Sequence, residues 1–173
     1  MKSLITVGVL ALLVALAANP ASPQQRVAAS FKVPASDSKY TKNFTIDIED
    51  VPNHQIRIYE AYVDYSKNSV AFADVKVKEA WIRDFSDYIE TNGHANGYVV
   101  YIMDNGDRFF TRRELVRQTI AEPDGTKRSV AIGVEAITGG TGKFKGMRGM
   151  LRVTVRWGTP NALEYAGEYW MQE

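Results

Sequence analysis

The side chains best suited to chemistry are acids and arginines set among alternating apolar residues. Glu60 lies between Ile58 and Tyr62 in a run of period two. If that face lines an interior, desolvation raises the Glu60 pKa and makes it a usable proton donor or acceptor. If the face is outward, Glu60 is an ordinary surface acid. Arg112, Arg113 and Glu114 sit in the middle of another run, and neighbours in a strand point to opposite sides, so at least one arginine is directed inward. An inward guanidinium can pair with Glu60 or Glu135, or hold a carboxylate on a ligand. We therefore take Glu60 and Arg113 as candidate catalytic residues, and Tyr62, Tyr101, Arg112 and Glu135 as candidate ligand-binding residues. The tyrosines, with Tyr59 and Tyr98, offer an apolar ring with a polar tip.

Other chemistries find no support. There is no cysteine, no Gly-x-Ser-x-Gly elbow and no His-Glu-x-x-His pair, which leaves hydrolase mechanisms without a nucleophile or a metal. His54 and His94 stand forty positions apart beside turn residues, and no carboxylate spacing joins them into a metal site; we read them as exposed loop histidines. No cofactor is implied. The chain has 21 basic and 20 acidic residues, and removing Lys2 with an N-terminal leader balances the two. With no cationic excess to release counterions from phosphates, nucleic-acid binding is disfavoured.

These residues must be positioned by strands. Phe44, Ile46 and Ile48 alternate with Thr45, Asp47 and Glu49. From His54 to Tyr65 both faces are partly apolar, as a barrel wall requires. In the stretch 76–91, Val77, Trp81, Phe85 and Tyr88 recur at helical spacing, but Asp84 interrupts that face, and the all-β context favours a long strand. Asn92 to Gly97 reads as a loop and Tyr98 to Met103 as a buried strand. Asn105-Gly106 suits a two-residue type I′ hairpin with both residues at positive φ. Between Arg128 and Ile137, Val130, Ile132, Val134 and Ala136 oppose the nearly bare series Ser129, Ala131, Gly133 and Glu135. Small residues on one side fit either a tapering interior or close contact with another element. Alternation resumes at Leu151–Trp157 and Leu163–Met171. The expectation is an all-β fold, a single closed antiparallel barrel of about eight strands.

Between two of these runs lies Thr138-Gly139-Gly140-Thr141-Gly142-Lys143-Phe144-Lys145-Gly146-Met147-Arg148-Gly149. It is not a phosphate loop: Ile137 and Phe144 occupy the positions where that motif needs glycine and a hydroxyl, and Gly140-Thr141-Gly142 leads to Lys145 rather than the third glycine of a dinucleotide fingerprint. The segment Gly139 to Gly146 resembles the signature of the allene oxide cyclase and dirigent-like β-barrel proteins. That resemblance implies a barrel with a hydrophobic lumen that binds small molecules or steers their cyclisation or coupling, and association into a homo-oligomer. It carries no catalytic position onto this chain.

Lys2 followed by the apolar run Leu4 to Ala18, with small residues at Ala15-Leu16-Ala17 and Asn19-Pro20-Ala21, reads as a signal peptide over 1–21, an uncleaved anchor being the alternative. Residues 22–43, rich in Ser, Ala, Gln, Lys and Pro, read as a flexible linker, and 44–173 as the barrel. The expected protein is secreted or periplasmic, without stable membrane insertion once the leader is cleaved. It binds a hydrophobic or amphipathic small molecule in its lumen. The alternative is a cyclase, isomerase or dirigent-type enzyme acting on an oxidised lipid, polyketide or phenolic intermediate.

Overall fold

A computed structural model describes residues 24–158 and 161–172, so the leader expected over 1–21 lies outside the described residues. The chain is all-β. Its strands are β1 (Val27–Pro34), β2 (Ser38–Asp47), β3 (His54–Asp64), β4 (Ala71–Phe72), β5 (Val75–Ile89), β6 (Asn92–Met103), β7 (Arg108–Ala121), β8 (Lys127–Gly140), β9 (Met147–Trp157) and β10 (Ala162–Met171), with 3-10 turns at Ala35–Asp37 and Gly142–Phe144. Every pairing is antiparallel, and the order across the sheet is β1-β10-β9-β8-β7-β6-β5-β3-β2, with β4 paired to β5 alone.

The sheet is not closed, which corrects the expected eight-stranded closed barrel: β1 and β2 stand at opposite ends of the order and do not pair. Antiparallel alternation along the nine-strand order makes β1 and β2 run in the same direction. Parallel partners need a crossover of a dozen or more residues, whereas only Ala35–Asp37 joins these two. They are two parts of one bent strand, the first laddered to β10 and the second to β3. Side chains meet across the seam instead. Phe31 of β1 stacks on Tyr165 of β10 at 4.5 Å and lies edge-on to Tyr65, just beyond β3, at 6.3 Å and to Phe72 of β4 at 5.8 Å. The sheet thus curls round a core filled by its concave face.

The stretch read as a flexible linker supplies β1 and the start of β2. Its polar composition hides Phe31 and Val33, which alternate inward while Lys32 and Ser30 face out; Val33 is fully buried. The ambiguous stretch 76–91 is the strand β5, whose inward series is Ala80, Ile82, Asp84, Ser86 and Tyr88. The expected Asn92–Gly97 loop is instead the beginning of β6, because Glu90 and Thr91, at φ 50° and 71°, complete a two-residue turn by themselves. At Asn105-Gly106 only Gly106 takes positive φ. The Gly106 N–H donates to Met103 O at 2.9 Å, and the Asn105 side chain accepts from the Asp107 N–H, giving a longer turn than the expected type I′ pair.

The glycine-rich segment closes one end of the core. Thr141 and Arg108 exchange hydrogen bonds, Asp107 accepts from the Lys143 N–H at 3.0 Å, and the turn drops Phe144 into full burial. Gly140 is needed here: a Cβ would sit 2.5 Å from Arg108 O and 2.6 Å from Phe144 Cβ. Phe72, Phe109, Phe144, Met147 and Tyr169 fill this end as an apolar plug, with Phe109 stacked on Tyr101 at 4.3 Å.

Candidate functional site

Above the plug the interior becomes polar. Arg113 points inward from β7 between Asp84 of β5 and Glu135 of β8, with 5% of its side chain exposed and both carboxylates fully buried. The sheet register produces this arrangement. Arg113 is the direct cross-strand partner of Glu135, and both Asp84 and Arg113 flank Gly97 of the intervening β6. A Cβ on Gly97 would lie 2.4 Å from Asp84 Oδ1, so the missing side chain is what lets the acid lean towards the guanidinium.

Arg113 Nε lies 3.3 Å from Asp84 Oδ2 and Nη1 lies 3.7 Å from Glu135 Oε1, close enough for charge pairing but not aligned as hydrogen bonds. The Tyr59 hydroxyl donates to Asp84 Oδ2 at 2.9 Å, and the Tyr101 and Thr111 hydroxyls donate to Glu135 Oε2 at 2.8 and 3.0 Å. Asp84 Oδ1, Ser86 Oγ and Glu135 Oε1 are buried without a hydrogen-bond partner among the described residues. Burial pushes both carboxyl pKa values up, and Arg113 and the hydroxyls only partly offset it. Burial also works against the Arg113 charge, but Asp84 and Glu135 outweigh it and hold the guanidinium protonated. Desolvation keeps the Tyr59 phenol neutral.

Arg113 and Tyr59 also line a cavity of about 270 Å³ at the end of the interior opposite the plug, near the low end of small-molecule pockets. Its apolar wall is Ile82, Leu115, Val155 and Leu163. Around it stand two arginine–aromatic sets. The Arg57 guanidinium lies 5.7 Å from the rings of both Tyr40 and Tyr59; that of Arg117 lies 4.1 Å from Trp157 and 5.6 Å from Tyr88. Neutral groups fix their directions, since Arg57 donates to Asn43 Oδ1 and Arg117 to Ser129 Oγ. With Arg113 the lining holds three guanidinium groups and, among the described residues, no carboxylate; Lys39 borders it too, but its ammonium lies over the ring of Tyr62 on the outer face. Among the described residues, neither Arg57 nor Arg117 forms a salt bridge.

Of the residues expected from the sequence, the structure gathers Arg113, Glu135 and Tyr101 into one cluster and leaves Glu60, Arg112 and Tyr62 on the outer face. Glu60 accepts from Thr41 at 3.0 Å and Arg83 at 2.8 Å, and pairs with Lys42. Its pKa is lowered, first by the Thr41 hydrogen bond, then by the two cations. That is the reverse of the shift an interior position would give. The face that β3 buries carries Tyr59, Ala61 and Val63. Arg112 is mostly exposed beside Glu114, and Tyr62 lies edge-on to Trp81 at 5.2 Å. Sequence reasoning missed Asp84, Arg57, Arg117 and Trp157. For Asp84 the signal was present: reading 80–88 with period two places it on one face with Ile82 and Tyr88. His54 is not a free loop histidine. Its Nδ1 and Nε2 lie 2.5 and 2.8 Å from Asp50 and Asp87, which raise its pKa, Asp87 most. No group of three or more potential metal ligands occurs among the described residues.

No protein family, curated protein or solved structure matches this chain.

Proposed function

We propose that the protein binds a small amphipathic anion, a one- or two-ring carboxylic acid in size, in the cavity above Arg113. The observation that carries this reading is the lining: three guanidinium groups with no carboxylate among the described lining residues, two of them, Arg57 and Arg117, with no salt bridge among the described residues and held against aromatic rings. The apolar wall takes the body of the ligand, and Arg57 and Arg117 take its charge at the rim, where guanidinium forks match carboxylate geometry. Export to a secreted or periplasmic setting, and kinship with the allene oxide cyclase and dirigent-like proteins, belong to the same proposal. A lumen ligand is what that resemblance implies.

Titration with 1-naphthoic acid and with 1-naphthylmethanol, followed by tryptophan fluorescence and calorimetry, tests it. The acid is expected to bind at least about tenfold more tightly than the alcohol, a difference of roughly 1.4 kcal/mol, with the preference lost on Arg57→Ala/Arg117→Ala. Equal affinities, or an unchanged preference in the double variant, would remove the basis for the reading.

One observation favours a second reading, a cyclase or isomerase. Tyr59 stands in the cavity wall with its hydroxyl on Asp84, whose carboxyl burial holds towards the protonated form. Such a pair can pass a proton to a bound intermediate while the cavity orients it. In this reading Asp84 and Tyr59 take the role first expected of Glu60. Asp84→Asn then abolishes turnover of an oxidised-lipid or phenolic substrate while naphthoate binding stays within about twofold. Turnover that survives Asp84→Asn but not Glu60→Gln rejects the assignment.

A further inference from the structure

The outer face of β2, β3 and β5 breaks the rule of polar-out alternation. Register places Phe44 opposite Ile58 and Ile58 opposite Phe85, so three large apolar side chains form a row straight across the strands. Ile46 and its cross-strand partner Ile56 extend it by one step along β2 and β3. Phe44 is 68% exposed, Ile46 61% and Ile58 58%. Contiguous apolar area of this kind on neighbouring strands marks an interaction surface. β2 is also an edge strand, with all its residues from Lys39 onward exposed.

The charges beside the row decide what covers it. One step towards the plug end stand Lys42, Glu60 and Arg83, cross-strand partners of one another. One step the other way, β5 carries Asp87, which shares His54 with Asp50. Along β5 the order is therefore Arg83, Phe85, Asp87, with the two charged side chains about half exposed. A twofold axis laid along Phe44–Ile58–Phe85 reverses the strand direction of a copy. Phe85 then stacks on Phe85, and each Arg83 meets the Asp87 of the other chain.

We propose that this face is a self-association surface, on which a second copy of the chain docks face to face about that axis. The contact is isologous, because along β5 the patch carries its own complement: Phe85 with Arg83 on one side and Asp87 on the other, while Lys42 and Glu60 pair within each chain. An anionic lipid surface fits less well, since Asp50 and Asp87 border the same row. The proposal does not depend on the cavity, which opens on the concave side.

Sedimentation equilibrium between about 1 and 100 µM tests it, with circular dichroism confirming that each variant is folded. The expected result is a dimer that Arg83→Glu and Asp87→Arg each weaken at least about tenfold. An equimolar mixture of the two variants is expected to recover the association, because the charges then complement one another at both ends of the axis. Phe85→Asp and Phe44→Asp are expected to give monomers, while Met150→Asp, at an exposed position of β9 outside this face, changes nothing. A monomer at every concentration, a mixture no stronger than either variant alone, or a dimer indifferent to Phe85→Asp overturns the proposal.

Discussion

The two ends of the interior are built on the same strands and the same alternation, yet one is solid and the other hollow. At the plug end β7 contributes Phe109, β9 contributes Met147 and the glycine turn contributes Phe144, all fully buried, with the rings of Phe109 and Phe144 5.9 Å apart. At the cavity end the same strands contribute Arg117 from β7 and Trp157 from β9, with Ser129 from β8. The layer between them, Asp84, Arg113 and Glu135, is buried like a core yet charged like a surface. A chain that needed only stability would carry apolar side chains there, since ion pairs in such places recover their desolvation cost poorly. Apolar packing is concentrated at one end, and the polar layer and cations at the other are the features on which the proposed ligand site rests.

The widest gap between the ends should appear in stability. Phe109→Ala removes a ring packed on Tyr101, Phe72 and Phe144 and is expected to cost about 3–5 kcal/mol, read as a lower urea midpoint, with naphthoate affinity in the folded fraction unchanged. A loss below about 1 kcal/mol would mean that the plug is not what secures the fold.

Arg113→Met probes the layer between the ends. It strands two buried carboxyls and is expected to cost about 3 kcal/mol at neutral pH, the low end for breaking a buried ion pair, because both acids can take up protons. The sign with pH follows from the raised folded-state pKa values of Asp84 and Glu135. Their contribution is fully present below the ordinary values of 3.8 and 4.5, and is lost as pH rises through the folded-state values. Without Arg113 those values rise further, so the deficit relative to wild type should shrink from about pH 8 to about pH 5 in urea melts. A deficit constant across that range would show that neither acid titrates in the folded protein.

The strands could be read from the sequence, but neither the plug nor the cavity, for a physical reason. Period two tells which residues share a face; it does not tell which face is inside. In β8 the answer was half legible: the small residues Ser129, Ala131 and Gly133 marked the side of Glu135 as one facing either a tapering interior or another element, and it is the interior. In β3 it was not, because Ile56 and Ile58 are as apolar as anything on the buried side. Their exposure, together with that of Phe44 and Phe85, is the feature that misdirected the choice of Glu60. β1 and the start of β2 escaped notice because an edge strand with one buried face needs few apolar residues, and Phe31 and Val33 suffice.

Arg117→Ala sharpens the contrast from the cavity side. It leaves the plug intact, so the urea midpoint should hardly move. Naphthoate affinity should fall about tenfold, the value of a desolvated cation over aromatic rings together with a charge-assisted hydrogen bond. Arg117→Lys should recover only part of this, since an ammonium keeps the charge but not the fork stacked on Trp157. Full recovery by lysine would reduce the role of Arg117 to charge alone.

The smallest expected effect lies beyond the cavity, at the tip of the β2–β3 hairpin, and it asks whether the hollow end is tuned by pH. His54 links Asp50 of the turn to Asp87 of β5, and its backbone carbonyl accepts from the Ile48 N–H at 3.0 Å. The two carboxylates raise its folded-state pKa above the ordinary 6.5. A cation with a raised pKa contributes order that is fully present below the unfolded value and is lost as pH rises through the folded one. Corrected for the intrinsic rate, amide exchange at Ile48 should therefore quicken above neutral pH in the wild type. His54→Gln removes the titrating group while keeping a side chain that can hydrogen-bond, and should flatten that dependence without shifting the urea midpoint. If Ile48 exchange follows the same profile in both proteins, the clamp is static, and any pH response of the hollow end must come from Asp84 and Glu135 alone.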